Sequence, residues 1–222
     1  MKESKMLSLS VVSHELRNPL TLIHSTLQII GNHHPEVRID PMWSQVISEI
    51  QYMSQLLTEL SSLNQSQKLR YVKVDIRQVL NALMERFSVE AEKEGKHLML
   101  RFETESTIFE ADEIKIKEML LNLIQNAMEA TKKGDRIEVV VQSKWDQLIV
   151  NVCDSGSGMD MERQKNVFEP FVTYRAGGTG LGLAVVKNIV DAHRGIIQVY
   201  SKPSEGTKFV IILPRSCPET KE

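Results

Sequence analysis

The chain has 222 residues, 41% hydrophobic and 25% charged, enough to bury one large core or two ordinary ones. Its 27 basic and 29 acidic residues leave a net charge of −2. With an isoelectric point near 6.3, that balance argues against nucleic acid or an anionic membrane surface as the main partner. In chain order, Leu9, Val12, Leu16, Leu20, Ile23, Leu27 and Ile30 recur at spacings of 3, 4, 4, 3, 4 and 3, a heptad-like seam on one long helix. Pro19 falls inside it. The seam stays in step on both sides, so a kink is expected and not a stop. Residues 31–41 read as a loop from their Gly and Pro content, and a second seam follows in Val46, Ile50, Met53, Leu57, Leu60 and Leu63. Two long helices with narrow apolar stripes cover each other poorly, which predicts a homodimer closing a four-helix bundle.

After Ser66 the period becomes mixed. Val72–Val74 reads as a strand, and Asp75 as the cap of a helix through Ile76, Leu80, Leu83 and Phe87 that ends near Gly95. His97–Phe102 alternates as a strand, and Asp112–Thr131 reads as a helix. Arg136–Gln142 and Gln147–Val152 are strands, followed by a helix at Leu181–His193 and strands at Ile196–Ser201 and Lys208–Leu213. The expected fold class is therefore α+β in two domains. An antiparallel helical hairpin precedes an α/β sandwich whose mixed sheet is covered by helices.

Cys153 lies in an apolar run and Cys217 in a polar tail, so neither a disulfide nor a metal site is expected, and a reduced, intracellular setting is the simplest one. No stretch approaches the roughly 20 apolar residues of a membrane span, and the N-terminus lacks a signal-peptide pattern.

Six of the 11 glycines fall in residues 156–182. Such crowding marks either a flexible loop or a backbone that turns sharply around a ligand. Asp154 and the glycines Gly156 and Gly158 follow an apolar strand, a place where a carboxylate can accept from an adenine amino group. Gly178, Gly180, Leu181 and Gly182 open a helix, whose amide groups suit phosphate. Asn122 and Asn126 share one helix face and offer amide oxygens to a hard cation or to phosphate, with Glu118 one turn earlier to orient them. A P-loop, a complete Rossmann fingerprint and a serine-hydrolase elbow are all missing from these segments. On the first helix, His14 points away from the seam, flanked by Glu15 and with Asn18 on its face. An exposed imidazole beside a carboxylate can act as a nucleophile, although a surface histidine in a charged cluster fits the same residues. His193, at the end of a helix before Gly195, is expected to cap it.

The order of these segments carries more than any one of them. SHELRNPLT (13–21) resembles the H-box of sensor histidine kinases, NLIQNAMEA (122–130) the N-box, DSGSG (154–158) the G1 box, FEPF (168–171) the F-box and GTGLGL (178–183) the G2 box. EGTKFVIILP (205–214) is similar to the family's closing strand. The combination of HELRNPLT with NAMEA is most similar to sporulation and nitrogen-control kinases.

This resemblance implies a dimerisation and histidine phosphotransfer domain (1–66), a linker (67–71), a Bergerat-type ATP-binding domain (72–216) and a tail (217–222). It implies His14 as phosphoacceptor, Glu15 as the group that orients or deprotonates it, and Asn18 as part of a regulator-dephosphorylating pattern. It implies ATP and Mg²⁺ as cofactors, with Asn126 as the metal ligand, Asn122 in support and Asp154 on adenine. Gly156, Gly158, Gly178, Gly180, Leu181 and Gly182 would shape pocket and lid, Thr207 would meet the adenine-side water network, and Arg175 would reach phosphate from a short lid over 172–177. Glu129 stands where many relatives carry a phosphate-binding lysine, which passes that role to Lys132, Lys133 or Arg175.

The implied partners are a second copy of the chain and a response-regulator receiver domain. An inhibitory protein gripping the stalk is also compatible, since jamming the hinge at 66–71 would block ATP delivery. The resemblance further implies an input region upstream, so that the stretch is the cytoplasmic catalytic part of a longer protein whose other segments can reach a membrane. Two alternatives share the motifs: an ATPase of the same superfold, which would need a glutamate near Asn122 and would lack the hairpin, and a non-catalytic dimeric scaffold that binds ATP structurally.

Overall fold

A computed structural model describes the backbone of residues 2–64, 69–174 and 178–216 and the side chains of 15–61 and of the two later segments. The chain divides into two compact units, residues 1–67 and 68–222. Among the described residues no helix is long and apolar enough to cross a membrane.

The first unit is an αα-hairpin of α1 (Lys2–His33) and α2 (Pro41–Asn64). Pro19 lies inside α1 without ending it. The lost backbone bond costs about 3 kcal/mol in an ordinary helix, and here tertiary ties offset it. Leu20, next to the proline, packs in the core with Ile50, Leu57 and Leu27. One residue before Asn18, the Arg17 guanidinium donates across to the Leu57 carbonyl at 3.3 Å and the Ser61 hydroxyl at 3.2 Å.

The segment expected to be a loop, 31–41, is more ordered than its composition suggests. Helix α1 runs through Gly31 to His33, and a 3-10 turn follows at Pro35–Ile39. The missing side chain of Gly31 admits Arg38 and Trp43, since a Cβ there would lie 2.9 Å from both. Asp40 then accepts from the Met42 amide at 2.8 Å, and Pro41 takes the first position of α2, where a missing N–H costs nothing.

The second unit runs β1 (Val72–Asp75), α3 (Ile76–Glu94), β2 (His97–Phe102), β3 (Ile108–Ala111), α4 (Glu113–Ala130), β4 (Arg136–Lys144), β5 (Gln147–Asp154), α5 (Met161–Asn166), α6 (Gly182–Ala192), β6 (Ile196–Lys202) and β7 (Gly206–Pro214). Five strands form a mixed sheet in the order β2-β4-β5-β7-β6, with β2 and β4 parallel and the remaining pairs antiparallel. Strands β1 and β3 pair separately as an antiparallel ribbon. Ile137, Val139, Val141, Leu148, Val150, Val152, Ile211 and Leu213 alternate onto one face of the sheet and are buried, with α4 packed on β5 and β7, α3 on β2 and α6 on β6.

Helix α3 starts where the Asp75 carboxylate accepts from the Arg77 amide and stops at Gly95, whose φ of +67° is the left-handed cap. The Asp112 carboxylate caps α4 the same way, accepting from Lys115 at 3.2 Å. His193 does more than close α6. Its Nδ1 donates to the Ile189 carbonyl at 2.8 Å, and its Nε2 accepts the Asp112 amide at 3.1 Å. One buried imidazole thus ties the end of α6 to the start of α4.

Candidate functional site

Asn126, Asp154, Gly158 and Thr207 line one cleft together with Met159 and Leu183. Four sequence segments separated by up to 81 positions therefore meet at one place. Each position has a local cause. Strand β5 ends at Asp154, which pairs in register with Thr207 on β7, so the two residues stand side by side at the end of these neighbouring strands. Asp154 turns the chain by accepting the Gly156 amide at 2.9 Å. Gly158 has a φ of +64°, and a Cβ there would lie 1.8 Å from the Lys202 carbonyl oxygen, so only glycine fits. Asn126 comes from the buried-faced helix α4 one turn after Asn122.

The remaining expectations divide. The Asn122 amide nitrogen donates to the backbone carbonyl of Glu118 at 2.9 Å, which turns its oxygen toward Gly182 at the start of α6. The Glu118 carboxylate does not orient the asparagines, because Lys115 holds it at 2.9 Å. Leu181 does not face the cleft. Its side chain is fully buried and its amide donates to the Thr179 hydroxyl at 3.2 Å, which makes it a core anchor for the G2 segment. Gly178 and Gly182 are half-buried. Gly180, at a φ of +69°, lets the F-box backbone close in: the Phe171 amide donates to its carbonyl at 2.9 Å. Phe168 packs edge-on against Phe209 beneath the cleft, with ring centroids 6.3 Å apart.

Glu15 and Asn18 are exposed on α1, where a substrate can reach them. Lys132 and Lys133 are exposed and do not line the cleft. The His14 side chain, Arg175, Gly177, part of the 67–71 linker and the tail with Cys217 lie outside the described residues.

Residues that sequence reasoning did not single out brace the cleft from behind. Ser201 joins Met159 to the β6–β7 turn, and the Gln164 side chain reaches the carbonyls of Met159 at 3.1 Å and Ser201 at 2.9 Å. Only the strand register could have exposed them. Among the described residues there is no cluster of three His, Cys, Asp or Glu side chains able to hold a metal. The donor set does suit a hard cation held by a single amide oxygen, that of Asn126, with its other ligands coming from a polyphosphate.

A helical hairpin that carries the His-Glu-x-x-Asn sequence, with Glu15 and Asn18 exposed, and a nucleotide-type cleft of α4, two glycine turns and β7 together define a class. Residues 111–216 match the family described as histidine kinase-, DNA gyrase B- and HSP90-like ATPase, and residues 4–68 match the His Kinase A (phospho-acceptor) domain. The chain belongs to the sensor histidine kinases.

It is 33% identical over 91% of its length to the signal transduction histidine-protein kinase AtoS of Escherichia coli, and 31% identical over 92% to sporulation kinase A of Bacillus subtilis. It spans about a third of the length of each, 34% in both cases. Among solved structures, histidine kinase ThkA in complex with response regulator protein TrrA has a TM-score of 0.70 at 25% identity, over 96% of this chain and 64% of that one.

Proposed function

We propose that the chain is the catalytic core of a protein-histidine kinase that phosphorylates its own His14 from ATP and passes the phosphoryl group to an aspartate of a response regulator. The observation that carries this reading is the meeting of Asn126, Asp154, Gly158 and Thr207 in one cleft of a chain whose other unit presents His14 on a helix.

Asp154 and Thr207 hold the adenine end, and the amides that open α6 face the phosphates. Mg²⁺, when bound, neutralises phosphate charge, and the Asn126 amide oxygen is the residue to hold it, with Asn122 fixed beside it. An imidazole nitrogen of His14 attacks the γ-phosphorus. An N–P bond forms, the P–O bond to ADP breaks, and the imidazole proton passes to the Glu15 carboxylate. In the second step the N–P bond breaks as a regulator carboxylate takes the phosphoryl group as an acyl phosphate. Asn18 positions water for hydrolysis of that acyl phosphate, giving the core a regulator-phosphatase activity. Arg175 contacts the phosphates from the lid. The catalysis demanded of the protein is positioning and charge neutralisation more than covalent chemistry.

The hairpin works as a homodimer. Leu16, Ile23, Ile30, Val46 and Met53, five of the seam residues, remain 39–50% exposed on the single chain and supply the inner face of a four-helix bundle. The unit operates in the cytoplasm, where ATP and regulator are available, and its exposed stalk also suits an inhibitory protein. The likeness to sporulation kinase A favours a sporulation-type kinase.

Incubation with γ-labelled ATP and Mg²⁺ tests the reading. Wild type acquires acid-labile, base-stable label, whereas His14→Ala and Asn126→Ala do not. Label persisting on His14→Ala would contradict the assigned phosphoacceptor, and steady phosphate release without labelled protein would contradict the kinase reading.

A further inference from the structure

The base end of the cleft has a hydrogen-bond polarity that can be worked out atom by atom. Ser201, on β6, is half-buried directly behind the cleft and pairs in register with Thr207 on β7. Its hydroxyl oxygen lies 2.7 Å from the Gly206 carbonyl, 2.8 Å from the Met159 amide and 3.0 Å from the Thr207 hydroxyl. A serine hydroxyl has one hydrogen and two acceptor sites. The Gly206 carbonyl can only accept and the Met159 amide can only donate. The Ser201 hydrogen therefore goes to Gly206, the shortest of the three contacts, and one lone pair goes to Met159. Thr207 must donate to the second lone pair. The opposite assignment would leave two acceptor oxygens, Ser201 Oγ and the Gly206 carbonyl, 2.7 Å apart with no hydrogen between them.

This arrangement commits Thr207. Its hydrogen points back at Ser201, so only lone pairs are left for the cleft that it lines beside Asp154. With an ionised Asp154 carboxylate, which also only accepts, the base end becomes a wall of acceptors. We infer that Ser201 is a positioning residue that fixes the direction of the Thr207 hydroxyl and thereby selects a purine carrying an amino group at C6 over one carrying a carbonyl there. The C6 amino group of adenine carries two donor hydrogens, one for each acceptor, directly or through one water. At the same position guanine presents an acceptor oxygen. A buried site built for one polarity rejects the other because its own polar groups are left unpaired. The inference rests on the ATP-site reading above and deepens it.

The test is a comparison of dissociation constants for MgATP and MgGTP, by calorimetry, in the whole chain. Wild type should prefer ATP. Ser201→Ala frees the Thr207 hydrogen to turn into the cleft, and the ATP/GTP ratio should fall by about tenfold, the worth of one hydrogen bond to a buried group. Ser201→Cys keeps the side chain's volume with a weak donor and acceptor, and should relax the ratio in the same direction if the alanine variant does not fold. Ser201→Thr retains the hydroxyl and should retain the preference.

The decisive variant is the double one. In a Thr207→Val background, Ser201→Ala should change the ratio no further, because the hydroxyl it orients is gone. An unchanged ratio in Ser201→Ala and Ser201→Cys would overturn the inference, as would an equal fall in both backgrounds, which is the mark of general loosening. A wild type that binds ATP and GTP equally would overturn the inference alone, whereas one that binds neither would overturn the nucleotide-site reading and the inference with it.

Discussion

The hairpin and the α/β unit bury apolar side chains to very different degrees. In the α/β unit Leu80, Leu120, Leu123, Ile124, Ile137 and Val141 have no exposed surface, and sheet and helices close on each other. Among the described residues of the hairpin the only buried large apolar side chains are Leu20, Ile50 and Leu57, while Leu16 and Met53 of the same seams are half exposed. Both halves were read from the same kind of apolar periodicity. A 3.5-residue seam on two helices describes a surface still to be covered, whereas strands alternating with amphipathic helices describe a core that is complete within one chain. One unit is thus built to stand alone and the other to find a partner.

The largest expected effect breaks the complete core. Leu123→Ala should destabilise the α/β unit by about 3 kcal/mol, measured by urea unfolding, because the side chain is wholly enclosed. The glycine turn comes next. Gly158→Ala forces a Cβ against the Lys202 carbonyl at a positive φ and should cost about 2 kcal/mol, read as weaker nucleotide binding by calorimetry and a lower melting temperature. On the hairpin, Ile23→Ala should cost about 1.5 kcal/mol for each copy, seen by light scattering as dissociation at a higher protein concentration, with ATP affinity unchanged. If that variant weakened the α/β unit instead, the contrast between the halves would be wrong. Asp75→Ala removes only a helix cap and should cost about 1 kcal/mol.

The smallest effect is spread over pH. Burial holds the His193 imidazole below its ordinary value of 6.5, against the opposing pull of the Ile189 carbonyl and the Asp112 carboxylate. The unfolded chain takes up that proton first as pH falls. The His193 contribution to stability is therefore complete above about pH 6.5 and is lost as pH drops below it toward the depressed native value. Protonation would also set a hydrogen on Nε2 against the Asp112 amide. Unfolding curves from pH 7.5 to 5 should show this slope in wild type and a flatter one in His193→Gln.

Much of this organisation was legible in the sequence, and the gaps have physical causes. Asp75, Asp112 and Gly95 announce helix ends because capping is local chemistry. Asp154 and Asn126 stand out because each sits at a fixed offset in a strand or helix. Strand β3 was missed: its four residues follow a polar stretch, and it exists by pairing with β1, over thirty positions earlier. Helix α5 has no apolar period to read and is held by the Asp160 cap and the side-chain bonds of Gln164. The loop expected at 31–41 proved largely helical because Gly31 is a close-packing position, which composition cannot distinguish from a breaker. Leu181 was placed among the ligand-binding residues with its motif, yet its side chain belongs to the core. Ser201 gained its importance only from the register of β6 on β7.

The claim that joins the two halves is that ATP held by the complete unit phosphorylates a histidine on the incomplete one. Mass spectrometry of the chain after brief exposure to MgATP, under alkaline conditions that preserve phosphohistidine, tests it most directly. The account predicts a single added phosphoryl group on the peptide containing His14, absent when Mg²⁺ is chelated. Phosphate on any other residue, or an unmodified His14 peptide while ATP is consumed, would contradict it.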